Sequence, residues 1–376
     1  MKVYLDNAAT TATEPEVLNV MLPYFTDKYY NPSAAYNDAL NIYKDIQIAR
    51  EKVARLINAD PSEIFFTSCG SESNAWVIHN VYDIYNNFVL TSYIEHPSVR
   101  NNIPNCLSAN VLNDGVIDVN HAEYLLNKYE KDIAFCSMMF VNNEVGTIQP
   151  IEKLSELAHK HNKLFHTDGV QAVGNVKINV KELPYVHFLS MSGHKIGAPK
   201  GIGALYIKKD IQHYVKPLIN GGGQERRFRS GTENVTGIIG FGKAAELAFD
   251  NMDKNHEHKI ALFNLLKNNI LNAIDDVIVN GNEDNHTYIL NVSFKKIDGE
   301  ALALLLSNKG ICVSNGSACH AKDGGVSNTL AYMNVPKEYI NGTLRLSIGN
   351  HNTKEEIEYV IKHLKESVEF LRGFIG

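Results

Sequence analysis

Between about residues 60 and 250 the chain alternates short β-rich runs with stretches of helical period, and this alternation limits the fold more than any other feature. The runs 63–68 (EIFFTS), 88–92 (FVLTS), 133–140 (IAFCSMMF), 163–168 (KLFHTD), 186–191 (VHFLSM) and 202–208 (IGALYIK) read as strands. The segments 71–85 and 151–161 read as helices between them. Strands separated by helices predict a mainly parallel sheet covered on both faces, with ligands at the C-terminal strand ends. After a glycine- and arginine-rich stretch at 221–232 (GGGQERRFRSGT), two helical stretches cover about 235–253 and 256–275. A strand at 287–294, a helix from about Asp298, a strand at 343–349 and a helix at 353–371 then predict a smaller α/β unit. The expected fold class is α/β, a large domain followed by a small one.

Composition narrows the class. Among 376 residues, 42 Asp and Glu stand against 36 Lys and Arg, a formal charge of −6. That balance argues against a protein built to coat nucleic acid, and no direct nucleic-acid binding is expected. The longest apolar run, 133–141, is about half a membrane span. Asp6 and Asn7 sit where a signal peptide needs its apolar stretch. Membrane insertion and secretion are therefore not expected, and the chain reads as cytoplasmic. The cysteines at 69, 106, 136, 312 and 319 show no C-x-x-C spacing, so no metal centre is expected. Cys136, inside an apolar run, reads as a small core hydrophobe. Cys319 lies between SNGSA and HAKDGG, small and polar residues that predict an exposed loop.

Three strand ends carry chemistry. The strand 63–68 runs into Ser68-Cys69-Gly70-Ser71-Glu72-Ser73, where a small-residue turn opens a helix. Free N–H groups, the helix dipole and the Ser71 hydroxyl can make a phosphate seat there, although taken alone an ordinary helix cap is the better explanation of the turn. The strand 163–168 ends on Asp168, with Gln171 three residues on, and 186–191 leads into Ser192-Gly193-His194-Lys195. A strand-end acid can carry a cationic ring nitrogen, and a desolvated lysine can form a Schiff base. Phosphate seat, carboxylate and lysine together match the needs of pyridoxal phosphate. Two other patterns read as bland. Gly237–Lys243 has the glycine and lysine spacing of a nucleotide-binding loop, but Ala244 stands where a hydroxyl is needed and the segment looks helical. His256-Glu257-His258 lacks further metal ligands.

YLDNAATT (4–11), NPSA (31–34), FFTSCGSES (65–73), EHPSV (95–99), VNNEVGTIQPI (141–151), HTDGVQAVG (166–174), SGHKIGAPKGIGALY (192–206), GGGQERRFRSGT (221–232), SNGSAC (314–319) and LRLSIG (344–349) follow one another along the chain. In that order they resemble the signatures of the cysteine desulfurases, class-V aminotransferase-like enzymes of pyridoxal-phosphate fold type I. SNGSAC is similar to the longer cysteine loop of the iron–sulfur-assembly type. The resemblance implies a large domain at 14–255 with a mainly parallel seven-stranded sheet. It also implies a small domain at 1–13 and 256–376 that carries the cysteine loop.

It further implies that Lys195 holds the cofactor covalently, Asp168 pairs with the ring nitrogen and Gln171 bonds the ring hydroxyl. His96 stacks on the ring and shuttles a proton, and Asn143 also faces the cofactor. Gly70, Ser71, Ser192 and His194 hold the phosphate, with Thr232 reaching it from the second subunit of a homodimer. Asn143 and Arg345 grip the substrate carboxylate, and Cys319 is the nucleophile. The activity so implied converts L-cysteine to L-alanine and leaves a persulfide on Cys319. The sulfur then passes to an acceptor protein that serves iron–sulfur clusters or thiolated cofactors and tRNA. A class-V aminotransferase or selenocysteine lyase on the same fold is the alternative, and the loop thiol argues against transamination. His320, where Thr or Ser is common, is a departure without an assigned effect, and a non-catalytic protein on this fold would not need Lys195, Asp168, His96 and Cys319 intact.

Overall fold

A computed structural model of the chain describes residues 1–80, 87–284, 286–315 and 327–373. Strand β1 (Val3–Tyr4) belongs to a smaller unit considered below. The large sheet takes β2 (Ile64–Thr67), β3 (Phe88–Ser92), β4 (Cys106–Ala109), β5 (Ile133–Ser137), β6 (Phe165–Asp168), β7 (Phe188–Ser192) and β8 (Gly203–Ile207). Their order across the sheet is β2-β8-β7-β6-β5-β3-β4. Every neighbouring pair is parallel except those made by β8, which runs antiparallel to both β2 and β7. The seven-stranded, mainly parallel sheet is the one expected.

Both faces of this sheet are dry, which is why its strands read as continuous apolar runs. Successive side chains point to opposite faces. Phe65, Val89, Phe135, Phe188 and Leu205 fill one apolar cluster, while Phe66, Leu90, Cys136, Leu189 and Ala204 fill the other. Cys136 is the small core hydrophobe anticipated. The strand read at 133–140 ends at Ser137, yet Met138 and Phe140 still donate to the carbonyls of His166 and Asp168 at 3.1 and 2.9 Å. The chain thus follows β6 to its end without regular pairing. The helix read at 71–85 is described as Gly70–Asn80.

β4 and the helices Pro15–Met21, Asn37–Leu56 and Val119–Tyr129 add to the elements expected from sequence. Asn37–Leu56 packs along Val235–Asp250, the helix that contains the nucleotide-loop look-alike. A Cβ on Gly242 there would come within 2.6 Å of Ala49 Cα, so that glycine serves close helix packing.

The smaller unit pairs β9 (Val277–Asn280), β10 (Ile289–Phe294), β12 (Ser314–Asn315) and β13 (Thr343–Ser347) in an antiparallel sheet, ordered β12-β13-β10-β9. β1 lies parallel to β11 (Ile311–Cys312). Asp298 caps the helix Gly299–Asn308, and Thr353 with Glu356 forms a capping box on Lys354–Arg372. Val3, Leu5 and Ala8 share an apolar cluster with residues from Leu262 to Val368. The two helical stretches read around 255 are Val235–Asp250 and Met252–Ala273, so the expected boundary at 255 falls in the first turn of the second. Among the described residues no helix is long and apolar enough to cross a membrane.

Candidate active site

The C-terminal ends of β2, β3, β5, β6 and β7 open onto one cavity of about 280 Å³. Gly70, Ser71, His96, Asn143, Asp168, Gln171, Ser192, His194 and Lys195 all line it. Parallel strands bring these distant segments together because each ends on the same edge of the sheet. Asp168, the last residue of β6, is 6% exposed. Its Oδ1 accepts from the Val170 N–H at 3.0 Å and its Oδ2 from Asn74 Nδ2 at 2.8 Å. Lys195 follows β7 in a short helical turn, Gly193–Lys195. Its Nζ donates to the carbonyls of Ala8 at 2.5 Å and Ala9 at 2.9 Å. The Ala8 carbonyl also accepts from Gln171 Nε2 at 2.8 Å, and Tyr288 donates to Gln171 Oε1 at 3.2 Å.

The helix Gly70–Asn80 opens at the cavity with Ser71 in its first turn. The N–H of Ser68 donates to Glu72 Oε2 at 3.0 Å, and the Ser68 hydroxyl donates to the same oxygen. Arg229 Nε donates to Glu72 Oε1 at 2.8 Å, so the stretch 221–232 is tied to this turn. Thr232 itself is exposed and lies off the cavity lining. Burial, reinforced by Lys195 and Lys200, pushes His194 down to about 4, which keeps its ring neutral. His96 is also held below the ordinary imidazole value by burial; Asp168 opposes the shift and Lys195 adds to it. Glu95, fully buried behind the site, is pushed up to about 8 by burial.

Arg345 sits on β13, 8% exposed. Its Nη1 donates to the Asn143 carbonyl at 2.8 Å and its Nη2 to Asp6 Oδ1 at 2.8 Å. It therefore reaches the cavity wall through Asn143. Cys319 and its neighbours lie outside the described residues.

Asn74, Ser98, Glu95 and the N-terminal segment also contact the site, beyond the residues expected from sequence. Asn74 carried a signal, because four residues after Gly70 it shares that residue's helix face. Asp6, Ala8 and Ala9 carried none beyond the YLDNAATT resemblance. Their contacts with Arg345, Gln171 and Lys195 exist only once β1 has docked.

A strand-end lysine and a strand-end carboxylate facing one cavity of a seven-stranded, mostly parallel sheet define a pyridoxal-phosphate protein of fold type I. Residues 3–360 match the class-V aminotransferase family. A cysteine desulfurase IscS of Clostridium botulinum is 40% identical, over 98% of this chain and 94% of that protein. The solved structure of a NifS-like protein superposes with a TM-score of 0.91 at 35% identity, over 99% of this chain and 100% of that one. The structure of SspA in complex with cysteine superposes with a TM-score of 0.81 at 32% identity, over 94% of this chain and 100% of that one. The chain belongs to the class-V aminotransferase family, on its cysteine desulfurase branch.

The family depends on pyridoxal phosphate, and the residues present fit it. Ser192 Oγ is buried without a hydrogen-bond partner at the cavity. A Cβ on Gly70 would approach Val170 Cγ2 to 2.5 Å, so the turn has no room for a larger residue there. A buried carboxylate and a lysine complete the donor set.

Proposed function

We propose that this cysteine desulfurase takes L-cysteine to L-alanine, leaves the sulfur as a persulfide on Cys319, and delivers it to an acceptor protein for iron–sulfur clusters or thiolated cofactors and tRNA. The observation that carries the reading is the convergence of Lys195 and Asp168, from adjacent parallel strands, on one cavity. Bound there, pyridoxal phosphate supplies a sink for the electrons left when the α-proton departs. Lys195 would hold the cofactor, and the Asp168 carboxylate would stabilise a protonated ring nitrogen. Gly70, Ser71, Ser192 and His194 would seat the phosphate, and Gln171 would meet the ring hydroxyl. His96 would face the ring and meet the substrate through its imidazole.

Asn143 and Arg345 would grip the substrate carboxylate. Both Nη groups of Arg345 are already engaged, so a bidentate grip exchanges at least one of its contacts with Asp6 and Asn143. The cysteine-bound relative supports cysteine as the substrate. The exposure of Thr232 at the end of a loop tied to Glu72 supports its service to a partner subunit's phosphate site in a homodimer. The apolar cluster that joins Val3, Leu5 and Ala8 to the C-terminal elements supports the division into 14–255 and 1–13 with 256–376. A cytoplasmic location accords with the absence, among the described residues, of a helix suited to a membrane.

The test is incubation of the cofactor-loaded protein with L-cysteine, with alanine and sulfide measured together. Equal amounts of the two products in the presence of a thiol reductant are expected. Pyruvate or a keto acid in place of alanine would overturn the reading in favour of another class-V reaction.

A further inference from the structure

We propose that Asn74 is a positioning residue that, through Ser98, holds His96 as the neutral tautomer with its proton on Nε2, so that the ring meets bound substrate as a hydrogen-bond donor. The inference rests on the proposed function for the substrate's presence there, and on geometry for the tautomer.

Asn74 is 1% exposed. Its Nδ2 donates to Asp168 Oδ2 at 2.8 Å and to Ser98 Oγ at 2.9 Å. The amide cannot be turned over, because its oxygen would then face a carboxylate oxygen at hydrogen-bond distance. Both amide hydrogens are therefore committed. Ser98 Oγ, having accepted one of them, offers its own hydrogen to His96 Nδ1 at 2.7 Å. The backbone N–H of Ser98 points at the same nitrogen at 3.1 Å. A nitrogen that faces two donors must present a lone pair, so Nδ1 is unprotonated and the ring hydrogen sits on Nε2.

A second proton could enter only at Nδ1, against both donors. Asp168, Lys195 and Arg100 are the charged groups that act on the ring, and Lys195 and Arg100 also oppose that proton. The Glu95 carboxyl faces away, accepting from Ser92 and the Met139 N–H. His96 is thus set against taking a proton and in favour of donating a hydrogen bond, as a neutral imidazole electrophile does.

The test is nitrogen NMR of the cofactor-loaded chain labelled at histidine nitrogen, with His96→Gln assigning the signals. In the wild type, Nδ1 should be unprotonated and Nε2 protonated across about pH 6–8. Ser98→Ala keeps the backbone donor and removes only the hydroxyl. It and Asn74→Ala should each give mixed tautomers and raise the pH at which His96 titrates, and Ser98→Thr should restore the wild-type signal. A proton on Nδ1 in the wild type, or unchanged tautomers in both alanine variants, would overturn the relay. An altered tautomer with an unchanged pH profile for L-cysteine turnover would overturn the donor role. Because the tautomer is read directly, a chain that makes no alanine from L-cysteine would count against the proposed function and leave the relay intact.

Discussion

Arg50 and Glu225, 175 residues apart, form a bidentate pair with both N–O distances at 2.7 Å and both side chains 5% exposed. Glu225 Oε2 also accepts from the Phe66 N–H on the free edge of β2, at 2.9 Å, and the Ile64 carbonyl takes Arg50 and Arg226 at 2.9 and 2.8 Å. The β2 edge of the large sheet is thereby closed by Arg50 and by side chains from the loop that leads to Thr232. Glu225, Arg226 and Arg227 all have positive φ, at 47°, 56° and 71°. Such backbone costs about 1–3 kcal/mol per residue and persists where the surroundings over-determine it.

Glu225→Gln should therefore leave Arg50 buried without its countercharge and cost ~3–5 kcal/mol of stability. If Thr232 completes a partner's phosphate site, cofactor retention should fall with it. Thermal midpoints and cofactor content after dialysis check this. An unchanged midpoint would show that the pair does not hold the loop.

Glu95 gives a pH dependence with a definite sign. Burial raises its folded pKa from 4.5 to about 8, so the folded chain binds this proton more tightly than the unfolded chain does. Its contribution to stability is present below about pH 4.5 and is lost progressively as pH rises to about 8. Glu95→Gln keeps an acceptor for Ser92 and the Met139 N–H. It should leave stability little changed near about pH 4.5 and raise it by a few kcal/mol near about pH 8. Urea midpoints at both pH values measure the difference, and equal shifts at both would refute the assignment.

Lys195→Arg preserves a cation for the Ala8 and Ala9 carbonyls, so the N-terminal segment should stay docked. A guanidinium does not supply the free amine that a Schiff base needs, and turnover should fall by several orders of magnitude. Alanine production measures it. Near-normal output would remove Lys195 from the chemistry.

Cys319→Ser should retain cofactor and still shift its visible spectrum on addition of L-cysteine, yet form no persulfide. A hydroxyl is a poor acceptor for sulfur. Cys69, Cys106, Cys136 and Cys312 should each tolerate Ala with most activity kept, and the fully buried Cys136 should lose about 1–2 kcal/mol of stability. Sulfide and alanine measured on each variant decide the matter. Loss of desulfuration in a different cysteine variant that still binds cofactor would show the nucleophile to be misassigned.

Six of the seven strands of the large sheet and the strand-end positions of Asp168 and Lys195 were legible in local sequence pattern, while the count of seven came with the family resemblance. Apolar period and turn residues are local properties, and a parallel sheet gathers its strand ends on one edge whatever the loops between them do. Family resemblance extended this to His96, Asn143, Gln171, Ser192 and His194. It could not reveal that Asn74 spends its two amide hydrogens on Asp168 and Ser98, because hydrogen-bond direction depends on atoms from three separate elements. Nor could it reveal that Asp6, Ala8 and Ala9 contact Arg345, Gln171 and Lys195. Those contacts form only when β1 pairs with β11 and brings the N-terminal segment against Arg345 on β13 and against the residues that follow β6 and β7. Local pattern decides which elements form and which of their ends face a ligand. The exchange of hydrogen bonds across more than 160 residues of chain is decided only by packing, because nothing in a local run encodes its distant partner.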